Sequence, residues 1–234
     1  MNNINKDGFV IINKPKGITS FDVIRKVRNV LKIKKIGHSG TLDKNAHGVL
    51  VLGVGKATKL LNINSNNRKE YITKIEIGRA FDTIDPTGTL IDQMDTSIIN
   101  IDALTNDIDK TIEKLKNQKE QIPPKFSAIK INGKRVSDIM RSNKNTDIEL
   151  KSRNIVVDNI ARISNIIREN NYLYFEVKLN VRKGYYVRSF VNDLSYMLNV
   201  PMNMYDLLRT NSEGYDIAIA QDIADDLKII PIND

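Results

Sequence analysis

The chain has 234 residues, no cysteine, 41% hydrophobic residues, and 36 lysines and arginines against 28 aspartates and glutamates, giving a formal net charge of +8 and a pI near 9.4. That size suits one large domain, and that hydrophobic share supports a packed core and excludes global disorder. The absent cysteine excludes disulfides, zinc-thiolate sites and thiol catalysis. No apolar run reaches membrane-spanning length and no signal pattern opens the chain, so a cytoplasmic protein is expected.

In chain order, GFVII (8–12) reads as a short buried strand, and Lys14-Pro15-Lys16-Gly17 as a turn. Thr19 and Asp22 form a capping-box pattern for a helix whose apolar face is Val23, Val27, Val30 and Leu31. Residues 37–48 are glycine-rich and expected as a loop. VLVLGV (49–54) is a continuous apolar run that predicts a central strand. Residues 71–78 alternate and predict another strand, with Ile75 and Ile77 on one face. Leu104, Ile108, Ile112 and Leu115 mark an amphipathic helix that Pro123-Pro124 cannot continue. Leu173, Phe175, Val177, Leu179 and Val181 carry the clearest period-two signal, and Val187, Val191, Leu194 and Leu198 define a following helix. Strands and helices interleave irregularly. This predicts a mixed, largely antiparallel α/β sheet flanked by helices (α+β type) in a single domain over residues 1–234.

The positive surplus favours a polyanionic partner and collects in three groups: Lys32, Lys34 and Lys35; Lys125, Lys130, Lys134, Arg135 and Arg141; Arg182, Lys183 and Arg188. The segment GHSGTLDKNAHG (37–48) holds both histidines with Asp43 between them. Three readings compete for it. It could be a surface loop whose aspartate caps a turn. It could be a metal site of His38, Asp43 and His47, although the usual close histidine pair is missing. It could present a nucleophilic or basic carboxylate on a tight loop, with glycines admitting a ligand's backbone. Composition does not choose among them.

The neighbouring motifs do. KPKGITS (14–20), GHSGTLDKNAHGVL (37–50), KEY (69–71), FDTIDPTG (81–88), QIPPKFSAIKINGKR (121–135), KGYYVRS (183–189) and LLRT (207–210) stand in the order seen in TruB-type pseudouridine synthases, and the chain resembles that family from about residue 8 to 214. The resemblance implies a pseudouridine synthase fold and an enzyme that flips a uridine out of folded RNA, isomerises it, and uses no metal or other cofactor. Asp43 matches the family's catalytic aspartate, Arg188 the arginine that pairs with it, and Tyr71 the active-site tyrosine, an aromatic face for a flipped base. By the same likeness Lys14 and Pro15 shape the pocket floor, His38 and Gly40 lie at the RNA, Tyr186 is an aromatic near the pocket, and Leu207 is an apolar wall beside the uracil. Residues 131–153 resemble a mobile RNA-binding thumb. Lys44 and Asn45 stand where many members have proline and leucine, His47 where small residues are usual, and Ser137 where an aromatic is common. The 24 residues after Thr210 leave no room for a full C-terminal PUA domain. The resemblance therefore implies a monomeric synthase for the T-loop uridine at tRNA position 55, with the T-arm as partner, no obligate protein partner and no membrane. The alternatives are a non-catalytic RNA-binding or tRNA-folding protein on the same scaffold, and a synthase for another RNA uridine.

Overall fold

The computed structural model describes residues 7–62, 68–127, 129–131, 133–142 and 149–232, and divides the chain into two compact units, residues 1–72 with 207–234 and residues 73–206. The first unit opens with strand β1 (Gly8–Lys14), helix α1 (Ser20–Leu31), β2 (Ile36–His38) and β3 (His47–Val54). A 3-10 segment (Gly55–Asn62) follows, then β4 (Arg68–Ile77), within which the chain passes into the second unit.

The second unit holds β5 (Arg79–Phe81), β6 (Leu90–Gln93), helix α2 (Ile101–Lys116), β7 (Glu120–Gln121), β8 (Lys130–Ile131) and β9 (Lys134–Arg135). Helix α3 (Val136–Ser142), β10 (Arg153–Asn154), β11 (Val157–Arg162), β12 (Ile167–Glu169), β13 (Tyr172–Arg182) and helix α4 (Val187–Leu198) continue it. Strand β14 (Met202–Ser212) returns the chain to the first unit, which ends with β15 (Tyr215–Asp216) and β16 (Ile230–Pro231).

In the first unit the strand order runs β4, β14, β3, β1, β16. β1 lies antiparallel to β3 with Ile12 opposite Leu50, and β14 lies parallel to β3 with Arg209 opposite Gly48. Alternation sorts the side chains to two faces. Val10, Ile12, Leu50, Leu52 and Val54 pack with Val23, Ile24 and Val27 of α1. Ile11, Val49 and Val51 pack on the other face with Leu61. This double burial is why 49–54 reads as an unbroken apolar run. The capping box forms as expected, with the Thr19 hydroxyl accepting from the Asp22 amide and the Asp22 carboxylate accepting from the Thr19 amide.

In the second unit the order is β11, β13, β4, β14, with β11 and β12 both antiparallel to β13. Helix α2 buries Leu104, Ile108, Ile112 and Leu115, the stripe its spacing predicts, and packs on β11 and α4. The sheet is thus mixed and largely antiparallel, with helices flanking it. The expected loop 37–48 is shorter than its glycines suggest. His38 pairs with Leu52 and His47 with Leu208, so β2 and β3 claim its ends and leave residues 39–46. Of the thumb segment, residues 132 and 143–148 lie outside the described residues.

Candidate active site

Asp43 stands half-buried in the loop between β2 and β3, and its flanks are pinned to buried groups. The Ser20 hydroxyl, 2% exposed at the start of α1, accepts from the Leu42 amide at 3.0 Å and donates to the Leu42 carbonyl at 3.2 Å. After Asp43, the Lys44 carbonyl accepts from the Gly17 amide at 2.8 Å and from Lys14 Nζ at 3.2 Å. The Ala46 amide donates to the Asp43 carbonyl at 3.1 Å, and the Ser39 amide to the Val51 carbonyl at 3.1 Å. Leu42 and Ala46 are buried while Thr41, Lys44 and Asn45 are exposed. Held at its neighbours, the carboxylate keeps its access without losing its position. Replacing Ser20 by alanine is expected to cost about 1–3 kcal/mol, because it strips both Leu42 groups of their partner. The loss should show as a lower melting temperature.

Lys14 closes β1 with no exposed surface, and its Nζ donates to the carbonyls of Pro15 (2.9 Å), Ile18 (2.7 Å) and Lys44. Burial pulls its pKa down to about 8, Asp43 resists by attraction, and Arg209 adds repulsion. Pro15 follows in the exposed turn. Tyr71 sits 7% exposed on the inward parity of β4 with Lys69, and the Arg209 guanidinium carbon lies 6.0 Å from its ring centre. His38 ends β2, half-buried, with Nδ1 enclosed and unbonded. Burial, then Arg209 and Lys69, lower its pKa, which favours the neutral imidazole. A Cβ on Gly40 would lie 2.5 Å from Lys69 Nζ, so glycine admits that ammonium beside the loop. Leu207 is 6% exposed on β14. The structure therefore gathers Lys14, His38, Gly40, Asp43 and Tyr71 into one unit with Leu207 and Pro15. Among the described residues no group of three His, Asp or Glu is placed to hold a metal ion.

Tyr186 and Arg188 belong to the second unit. Tyr186 is the N-cap of α4 and forms no side-chain cap bond. Instead the Gln121 carboxamide accepts from its amide at 2.9 Å and donates to its carbonyl at 3.1 Å. Arg188, in the first turn of α4 and 6% exposed, donates to the carbonyls of Thr83 (3.3 Å) and Phe126 (3.0 Å). The Asp85 carboxylate braces the turn that offers Thr83, accepting from the Thr83 hydroxyl at 3.0 Å, the Thr87 amide at 2.9 Å and the Thr87 hydroxyl. One sequence expectation changes here. Arg188 stands in one of the three basic groups expected to favour a polyanionic partner, yet it is buried, and Arg182 of the same group is paired with Asp158 at 3.2 Å. Lys32, Lys34, Lys35, Lys125 and Lys183 are exposed.

Sequence reasoning missed Ser20, Gln121 and Asp85 as supports, and Arg209 altogether. Arg209 alone carried a readable signal, a charged residue two positions from Leu207 on the inward parity of a strand.

A carboxylate pinned on a tight loop, in a unit that also buries a tyrosine on a mixed sheet, fits a pseudouridine synthase fold. The fold is shared with the crystal structure of a Cbf5-Nop10-Gar1 complex, at TM-score 0.58 and 22% identity over 88% of this chain and 49% of that one. It is shared also with an H/ACA RNP bound to a substrate RNA containing 2'-deoxyuridine, at TM-score 0.57 and 22% identity over 89% of this chain and 48% of that one. The description of the TruB family pseudouridylate synthase N-terminal domain matches residues 28–187. The chain is 41% identical over 224 residues to tRNA pseudouridine synthase B of Ureaplasma urealyticum serovar 10, covering 95% of this chain and 93% of that protein. It is 38% identical over 217 residues to tRNA pseudouridine synthase B of Lactobacillus gasseri, covering 93% and 72%. The chain belongs to the TruB family and is an RNA pseudouridine synthase. No helix among the described residues is long and apolar enough to cross a membrane.

Proposed function

We propose that this enzyme isomerises a uridine of tRNA to pseudouridine, at position 55 of the T-loop, with Asp43 as the catalytic carboxylate. The observation that carries this reading is the Asp43 loop, whose flanking amides and carbonyls are committed to buried partners while the carboxylate stays half-open. Such preorganisation is what a reaction at a sugar carbon needs, since a carboxylate stabilises or traps an electron-poor sugar. In the isomerisation the N-glycosidic bond breaks, the uracil turns, a carbon–carbon bond forms at C5, and the C5 hydrogen leaves as a proton while N1 gains one. Tyr71 supplies an aromatic face to the flipped base and a phenol for proton transfer. Arg188 is a further catalytic residue by its match to the family's arginine. Lys14 and Pro15 shape the pocket floor, His38, Gly40 and Tyr186 lie at the RNA, and Leu207 borders the uracil. The exposed lysines contact phosphates of the T-arm, and the enzyme works as a monomer in the cytoplasm.

The test is tritium release from an unmodified tRNA transcript labelled at uracil C5, compared with a T-arm minihelix and an unrelated stem-loop. Release at one T-loop uridine from the tRNA and the minihelix is expected. Release from the unrelated stem-loop alone would sink the T-loop assignment.

A further inference from the structure

We propose that Arg209 is a positioning residue for the isomerisation, a buried guanidinium that ties the two sides of the Asp43 loop to β14. This rests on the reading of Asp43 as the catalytic carboxylate.

Arg209 has no exposed surface and is the largest fully buried side chain described. Its Nε donates to the Val49 carbonyl at 2.7 Å and its Nη2 to the Gly40 carbonyl at 3.3 Å. Gly40 precedes Asp43 and Val49 follows it, so one planar group spans the loop from both sides. The fork geometry of a guanidinium allows this, and a lysine has no equivalent. The same strand carries Leu207, and the guanidinium carbon lies over the ring of Tyr71, 6.0 Å from its centre. A single residue thus sets the loop, the aromatic and the apolar wall in register.

The charge is as informative as the hydrogen bonds. Among the described residues no carboxylate bonds Arg209, and Nη1 is enclosed without a partner. Burying an unneutralised cation is costly, and two carbonyls would be satisfied as well by a neutral amide. A site built only to hold the loop would not keep the charge. Its field reaches His38 on β2 and Lys14 on β1, and Lys69 of β4 adds to it at His38. The effect is a positive potential at the loop that favours negative charge there and disfavours a second proton on His38.

The experiment compares Arg209→Lys and Arg209→Met with wild type in three readouts: single-turnover rate on tRNA, tRNA Kd, and the imidazole titration of His38 by NMR. The chain has 2 histidines, so the two resonances are separable with a His47→Gln control. Arg209→Met is expected to lower the rate about a hundredfold, as a loop displaced by about an ångström does, with Kd within about threefold. Its His38 midpoint should rise toward the ordinary imidazole value. Arg209→Lys keeps the charge but loses the span, so the rate should fall about tenfold while the His38 midpoint stays low. A folded Arg209→Met with wild-type rate, or one whose loss lies wholly in Kd, would overturn the proposal. If Arg209→Met does not fold, Arg209→Lys decides: a slower rate at unchanged Kd supports it, and a wild-type rate overturns it. If wild type itself releases no tritium from tRNA, the substrate reading fails instead, and amide hydrogen exchange in residues 40–49 judges Arg209: faster exchange in Arg209→Met supports the tie to the loop, and unchanged exchange overturns it.

Discussion

Asp43→Asn is expected to bind tRNA as wild type does and to lose turnover by on the order of 10⁴-fold or more, the scale seen when a catalytic acid or nucleophile is removed while binding groups remain. The amide has the same shape, and the backbone of Leu42 and Lys44 keeps its bonds to Ser20 and Lys14. The substitution therefore leaves the loop's backbone anchors in place while removing the carboxylate's charge. Equal release by both proteins would place the catalytic carboxylate elsewhere. A second signature follows from Lys14. In the folded chain Asp43 attracts its buried ammonium, whose pKa burial holds at about 8 against an ordinary 10.5. A lysine with a lowered folded pKa binds fewer protons folded than unfolded between those two values, so its penalty is full below pH 8 and fades as pH rises toward 10.5. The attraction to Asp43 exists only while Lys14 is charged. Asp43→Asn should therefore melt below wild type at pH 7, and the gap should close by about pH 9.5. Melting curves at the two pH values check this, and a constant gap would show that Lys14 and Asp43 do not interact.

The elements that could be read from sequence are those whose signals are local. Alternation in 173–181 and the stripe through Leu104 and Leu115 depend only on which side of a strand or helix faces the core, and β13 and α2 follow them. The capping box spans Thr19 to Asp22 and needs no distant partner. What escaped depends on groups far apart in the chain. The ends of the glycine-rich loop were taken into β2 and β3 because Leu52 and Leu208 offered ladder partners, and pairing overrode the glycines. Ser20 supports Leu42, and Arg209 supports Gly40 across most of the chain. Asp43 and Tyr71 could be singled out as candidates because a motif surrounds each. Their supports could not: a serine at a helix start looks ordinary, and the inward parity of Arg209 on its strand does not say which carbonyls the fold brings to it. Arg188 shows the same limit: its place in the first turn of α4 was foreseeable, but its burial against Thr83 and Phe126 was not.

The close approach of β14 to the end of the Asp43 loop makes Gly48→Ala the substitution with the largest expected cost to folding. Gly48 has φ +100, a conformation side chains rarely adopt, and a Cβ there would lie 2.3 Å from the Arg209 carbonyl oxygen and 3.0 Å from its carbonyl carbon. Both are backbone atoms of the strand paired with this residue, so no rotamer change relieves the contact. Backbone strain of about 1–3 kcal/mol adds to overpacking of similar size, giving about 2–6 kcal/mol in all. For a chain of this length that lowers the melting temperature by roughly 5–20 °C. Gly17→Ala separates the two contributions. Gly17 has φ +86 but nothing within 4 Å of its Cβ position, so it carries the strain without the clash. Gly48→Ala should melt well below Gly17→Ala. Its residual activity should also fall, because separating β3 from β14 loosens the carbonyl of Val49 from Arg209. Equal melting of the two variants would mean that the strands part at little cost, and that the loop is held by its other anchors, Ser20 and Lys14, without help from β14.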